Sequence, residues 1–117
     1  MKPKVIPAPS VSLPLDVQKI LRSLGENIRL SRKRRDMTQN DLAKAMSSTR
    51  QTISKIERGD GSVAWETFIM AVFCLSREKE LDKLLDPNAD RTGLIIDSRK
   101  QEKRRRVRHR RLDDLDF

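Results

Sequence analysis

Residues 37–60 read MTQNDLAKAMSSTRQTISKIERGD. The stretch holds two short segments of helical apolar spacing, each opened by a threonine and separated by little more than two serines. A helix this short is marginal alone, so the pair makes sense only on a larger helical body that holds one of them outward. Thr38 is placed to cap the first. Its hydroxyl can accept the Asp41 N–H while the Asp41 carboxylate returns the bond, a shortened capping box. Leu42, Ala43 and Met46 then face inward, and Ser47-Ser48 makes the turn. Thr49 caps the second segment, Arg50 to Glu57, whose inward residues are Ile53 and Ile56. Gly59 follows where a left-handed C′ residue is wanted.

Outward from this pair the helical spacing continues on both sides. Val17, Ile20, Leu21, Leu24 and Ile28 form one stripe of a helix from Leu15 to about Arg35. Gly25 within it costs ~1 kcal/mol against alanine and reads as a bend or as the true start. After a loop at 60–63, Trp65, Phe68, Ile69, Val72, Phe73 and Leu75 predict a central packing helix with little wet surface, Trp65 and Cys74 in its core. Leu81, Leu84 and Leu85 predict a fifth short helix, stopped by Asp86-Pro87. No strand pattern precedes residue 93, and the GLII at 93–96 fits either a short strand or a helix start. Residues 1–14 hold four of the five prolines and read as an extended arm. The expected organisation is therefore an arm over 1–14, an all-α domain over 15–88 and a tail over 89–117.

The chain of 117 residues carries a net charge of +9, which invites an acidic partner. The charge is unevenly placed. Residues 24–88 hold 12 Lys/Arg and 10 Asp/Glu, whereas residues 99–111, RKQEKRRRVRHRR, hold 9 Lys/Arg and one Glu. A single cysteine rules out an internal disulfide and fits a reducing compartment. The N-terminus has no continuous apolar run, and no segment nears the ~20 apolar residues of a membrane span. A cytoplasmic protein, nucleoid-associated when bound to DNA, is expected. No nucleophile–base pair, carboxylate dyad or phosphate-cradling glycine loop points to an enzyme. His109, alone in an arginine run, reads as a surface residue, since no Cys/His/Asp set has metal spacing; no metal or cofactor is expected.

With Ile53 and Ile56 inward, Arg50, Gln51, Ser54 and Lys55 are left on the outer face. All four donate hydrogen bonds, and Gln51 and Ser54 also accept. The major groove of B-DNA, about 12 Å wide, admits one helix and presents a donor/acceptor code that Arg reads on guanine and Gln on adenine. The preceding helix would cross the backbone with its first turn, Gln39 included, toward a phosphate. One segment is then a clamp and the other a reader.

The residues TQNDLAKAM, TRQTISKIERGD and WETFIMAVFCL resemble the Xre/Cro/phage-repressor family of helix-turn-helix proteins over about residues 24–86. The resemblance implies a five-helix, lambda-repressor-like domain, here with an extended N-terminal helix and flexible tails, that works as a homodimer on double-stranded operator DNA. Carried over by position, Arg50, Gln51, Ser54 and Lys55 face base edges, and Gln39 touches a phosphate and orients Arg50. Thr49 and Thr52 touch backbone, with Thr38 beside them; Arg34 and Arg35 are either further phosphate contacts or plain surface charges. Arg32 is expected to pair with Glu57. Ser47 and Asp36 stand where glycine is common, so Ser47 must tolerate a left-handed backbone or shift the turn slightly, and Ala64 is a poor cap. More narrowly, LGENIRLSRKRRDMTQNDLA, IERGDGSVAWETF, LLDP and the arginine-rich tail resemble the regulator–antitoxins encoded beside HipA-type kinase toxins. That implies autoregulation of an operon and a toxin kinase partner. A phage- or stress-type regulator without a toxin, or a bridging factor with weak DNA binding, is the alternative.

The tail reads as a solvated, disordered segment, or as one whose Arg104, Arg105, Arg106, Arg108, Arg110 and Arg111 follow the phosphate backbone. Its end, Leu112, Leu115 and Phe117 among Asp113, Asp114 and Asp116, could dock on a partner protein or fold back on the arginines.

Overall fold

The computed structural model describes residues 12–115. Most of the proline-rich arm (Pro3, Pro7 and Pro9 with it), together with Asp116, Phe117 and the side chain of Leu115, lies outside the described residues. Every regular element among them is helical: α1 Leu15–Arg34, α2 Gln39–Ala45, α3 Arg50–Glu57, α4 Trp65–Cys74, two 3₁₀ segments at Glu78–Lys83 and Pro87–Ala89, and α5 Arg91–Leu115. The chain forms two compact units that divide between Glu78 and Lys79.

In the first unit the local signals act as the sequence predicts. The Thr38 hydroxyl accepts the Asp41 N–H at 3.0 Å and the Asp41 carboxylate accepts the Thr38 N–H at 2.8 Å. Those bonds hold the Asp41 carboxyl below the usual aspartate range. Thr49 caps α3 by accepting from the Thr52 N–H. Ser47 turns the chain with φ 53°, Asp36 ends α1 with φ 54°, and Gly59 follows α3 with φ 77°. Ser47 and Asp36 therefore occupy a backbone region that disfavours a Cβ by roughly 1–2 kcal/mol. Ala64 gives α4 no side-chain cap.

Ile28, Leu42, Ala43, Met46, Ile53, Ile56, Ala71 and Leu75 form the core, with Leu42 and Ile53 at 0% exposure. Gly25 does not start α1; the helix runs through it. A Cβ there would stand 2.5 Å from the Ile56 carbonyl oxygen and 2.7 Å from that of Glu57. The missing side chain is what lets α1 lie against the end of α3. Gly25→Ala is expected to destabilise the protein by about 1–3 kcal/mol, the usual overpacking cost, although alanine is the better helix former by ~1 kcal/mol. Thermal denaturation checks the sign: a higher Tm would mean that the close approach is not a constraint.

Three expectations about packing are corrected. The helix α4 is not wet on little of its surface, because Ala71 is its one fully buried residue. Trp65 is not core: it is 66% exposed and stacks on half-buried Phe68, ring centroids 5.8 Å apart. Phe73 is also exposed, and Cys74 is half-buried, its thiol donating to the Ala45 carbonyl. A unit this small has too little interior for every apolar side chain of an all-round apolar helix. The stripe of α1 is likewise uncovered at Val17, Ile20 and Leu24.

The fifth short helix is instead the two 3₁₀ segments. Leu85, 91% exposed, takes φ 59°, a conformation that ends any helix, and Pro87 constrains Asp86 behind it. Leu84 is exposed too, so Leu81 alone of the three leucines is half-buried.

In the second unit, the segment read as a disordered tail is the 25-residue helix α5. The GLII at 93–96 lies within its start and is no strand. The Asp90 carboxylate accepts the Gly93 N–H at 2.9 Å, capping it. From Leu94 to Leu115 there is no proline or glycine, and Lys, Arg, Gln and Glu are all good helix formers. Glu102 pairs forward with Arg105 and Arg106, and His109 with Asp113, at helical i,i+3 and i,i+4 spacing.

Candidate nucleic-acid interface

The outward face of α3 follows from what its inward face must do. Ile53, Ile56 and Glu57 are buried, which fixes the roll of the helix. Arg50, Gln51 and Lys55 are consequently exposed and Ser54 half-buried. With Gln39 and Arg58 they line one shallow depression. The structure thus brings together all four residues predicted to read bases, and Gln39 from the neighbouring helix. Arg58 was missed, although position 58 continues the 51, 54, 55 stripe at helical spacing.

A chain of charge-assisted hydrogen bonds anchors this face to the core. Arg32 donates from Nε to Glu57 Oε2 and from Nη2 to Glu57 Oε1, both at 2.9 Å, and from Nη1 to the Met37 carbonyl at 2.8 Å. The expected pair is therefore bidentate, and it is buried, Arg32 at 7% and Glu57 at 8% exposure. The bond to Glu57 raises the Arg32 pKa, against the lowering effect of burial.

Gln39 extends the chain. Its Nε2 donates to Glu57 Oε1 at 3.3 Å, and its Oε1 accepts from Arg50 Nε at 3.3 Å. Only this amide orientation suits both neighbours, a carboxylate on one side and a guanidinium on the other. Arg50 is exposed and held through Nε, which leaves Nη1 and Nη2, its two-pronged end, outside that bond. A two-pronged donor is what guanine O6 and N7 accept. One hydrogen of Gln39 Nε2 remains available, as a contact to a phosphate would need.

The other predicted contacts are dispersed. Thr38 and Thr49 are exposed and Thr52 half-buried, and none lines the depression. The Thr49 and Thr52 hydroxyls lie 3.1 Å apart. Arg34 and Arg35 are exposed near the end of α1, and Arg35 turns back to donate to the Ser31 carbonyl at 2.9 Å. Arg104, Arg105, Arg106, Arg108, Arg110 and Arg111 all lie exposed on α5.

A helix-turn-helix family model matches residues 28–67, from the middle of α1 into the start of α4. Residues 28–67 are a helix-turn-helix. The match takes in both caps, the Ser47 turn, the Arg32–Glu57 pair and the whole outward face of α3. It spans less than half the chain and does not reach the 3₁₀ segments or α5. Comparison with curated proteins and with solved structures returned no match. The helix-turn-helix supports a DNA-binding transcriptional regulator. Among the described residues no helix is long and apolar enough to cross a membrane, and no group of His, Cys, Asp and Glu is arranged to hold a metal ion.

Proposed function

We propose that the protein is a sequence-specific repressor that binds its operator as a homodimer, working in the cytoplasm and joining the nucleoid when bound. The observation that carries this reading is the Gln39–Arg50 bond: a free regulator that merely tracked phosphates would gain nothing from fixing the direction of one guanidinium. Fixing it removes rotamer entropy before binding, which favours base discrimination. The exposed Val17, Ile20 and Leu24 of α1 and Trp65 and Phe73 of α4 support homodimerisation, because a second copy packed on them would remove apolar surface from water. Two copies would set their α3 helices on half-sites about 34 Å apart.

The same apolar side chains would serve a protein partner such as a kinase toxin, the role implied by the likeness to the regulator–antitoxins. Two measurements separate these readings. Sedimentation of the purified chain, with binding to DNA upstream of its own gene compared with random duplex, should give a dimer that prefers the upstream sequence by at least ~10³-fold. A monomer that captures the product of a neighbouring gene and shows no DNA preference would support the antitoxin reading instead.

A further inference from the structure

The helix α5 sorts its charges by face. Lys100, Lys103, Arg104, Val107, Arg108 and Arg111 line one side. Glu102, Arg105, Arg106, His109, Arg110 and Asp113 line another. The second side is partly neutralised: Glu102 lies 3.7 Å from Arg105 and 3.4 Å from Arg106, and Asp113 is 3.8 Å from His109. The first has no acid along its length, and by the 3.6-residue turn Asp97 and Asp114 close it at either end. Between Ser98 and Leu112 the sole acid is Glu102, on the far side.

We propose that the Lys100–Arg111 stripe is a second, sequence-independent DNA site that lies along the phosphates of one strand of a duplex. Charge complementarity selects the occupant. From Lys100 to Arg111 the stripe is about 16 Å long and carries five cations, against a duplex that presents one negative charge per ~1.7 Å of its axis. Only one face of a helix can lie on a backbone at a time. The other face is about 10 Å away across the helix, which is more than one Debye length at physiological salt. The arginines of the tail are therefore not equivalent: Arg104, Arg108 and Arg111 touch phosphate, whereas Arg105 and Arg106 are turned away beside Glu102. The site does not depend on base reading by α3, because it is measured on DNA that has no operator.

The test removes equal charge from adjacent positions. Full-length Lys103→Gln/Arg104→Gln and Arg105→Gln/Arg106→Gln are compared with the wild type on random duplex across a salt series, with far-ultraviolet circular dichroism to verify α5. The stripe pair is expected to reduce the slope of log K against log salt by about 1.8, at ~0.9 per phosphate contact, and the other pair by less than half of that. Equal reductions would overturn the proposal, leaving net charge as the whole effect, and so would no reduction in either. Should the stripe pair unfold the helix, Lys100→Gln/Arg111→Gln takes its place. Loss of binding to vesicles containing phosphatidylglycerol, with the DNA slope unchanged, would also overturn it by assigning the stripe to a membrane surface.

Discussion

Glu57→Ala is expected to cost about 3–5 kcal/mol of stability, the penalty for leaving one member of a buried ion pair without its partner. Arg32 would keep only its bond to the Met37 carbonyl, and its charge would remain inside the domain. A small domain has ~5–15 kcal/mol in total, so thermal denaturation should show a fall in Tm on the order of 20 °C, or a chain that does not fold. Glu57→Gln keeps an acceptor and should fall between. Replacing both residues with apolar ones of similar size, Arg32→Met with Glu57→Leu, should recover much of the loss, because the pair repays its own desolvation poorly. A Glu57→Ala protein within 1 kcal/mol of wild type would show that the bidentate contact does not govern stability.

Arg50→Ala and Gln51→Ala should each reduce preference for operator over random duplex by about 1–3 kcal/mol, roughly 5- to 150-fold. Binding to random duplex and Tm should change little, since both side chains are exposed. Gln39→Ala separates orientation from contact. It frees Arg50 Nε while the Arg32–Glu57 bonds stay, so it should weaken discrimination less than Arg50→Ala and leave stability nearly unchanged. Competition binding at one fixed salt concentration measures all three. If operator preference survives in Arg50→Ala and Gln51→Ala, α3 is not the reader.

What could be read from the sequence was what a few neighbouring residues decide between themselves. The Thr38–Asp41 box, the Thr49 cap and the inward Leu42, Ile53 and Ile56 are local geometry, whereas the left-handed turn at Ser47 was suggested by the resemblance, which puts glycine there. The Arg32–Glu57 pair spans 25 positions and was legible only through the resemblance. Trp65 shows where periodicity fails: a helix apolar all round reads as buried, and nothing in WETFIMAVFC says how little of it the rest of the chain can cover. Gly25 was ambiguous for a related reason, because its role depends on carbonyls at positions 56 and 57 that the sequence does not place beside it. The tail was misread as disordered by composition alone, although its charge spacing and the Asp90 cap were there to be read as helical.

On operator DNA the outward face of α3 is expected to sit in the major groove with Arg50 against guanine. Methylation of guanine N7, which alters only the major groove, tests it on DNA from upstream of the gene. Methyl groups at particular guanines should block binding of the wild-type protein and should not further weaken the residual binding of Arg50→Ala at those same guanines. Binding indifferent to N7 methylation, or blocked equally in both proteins, would mean that Arg50 does not read guanine in the major groove.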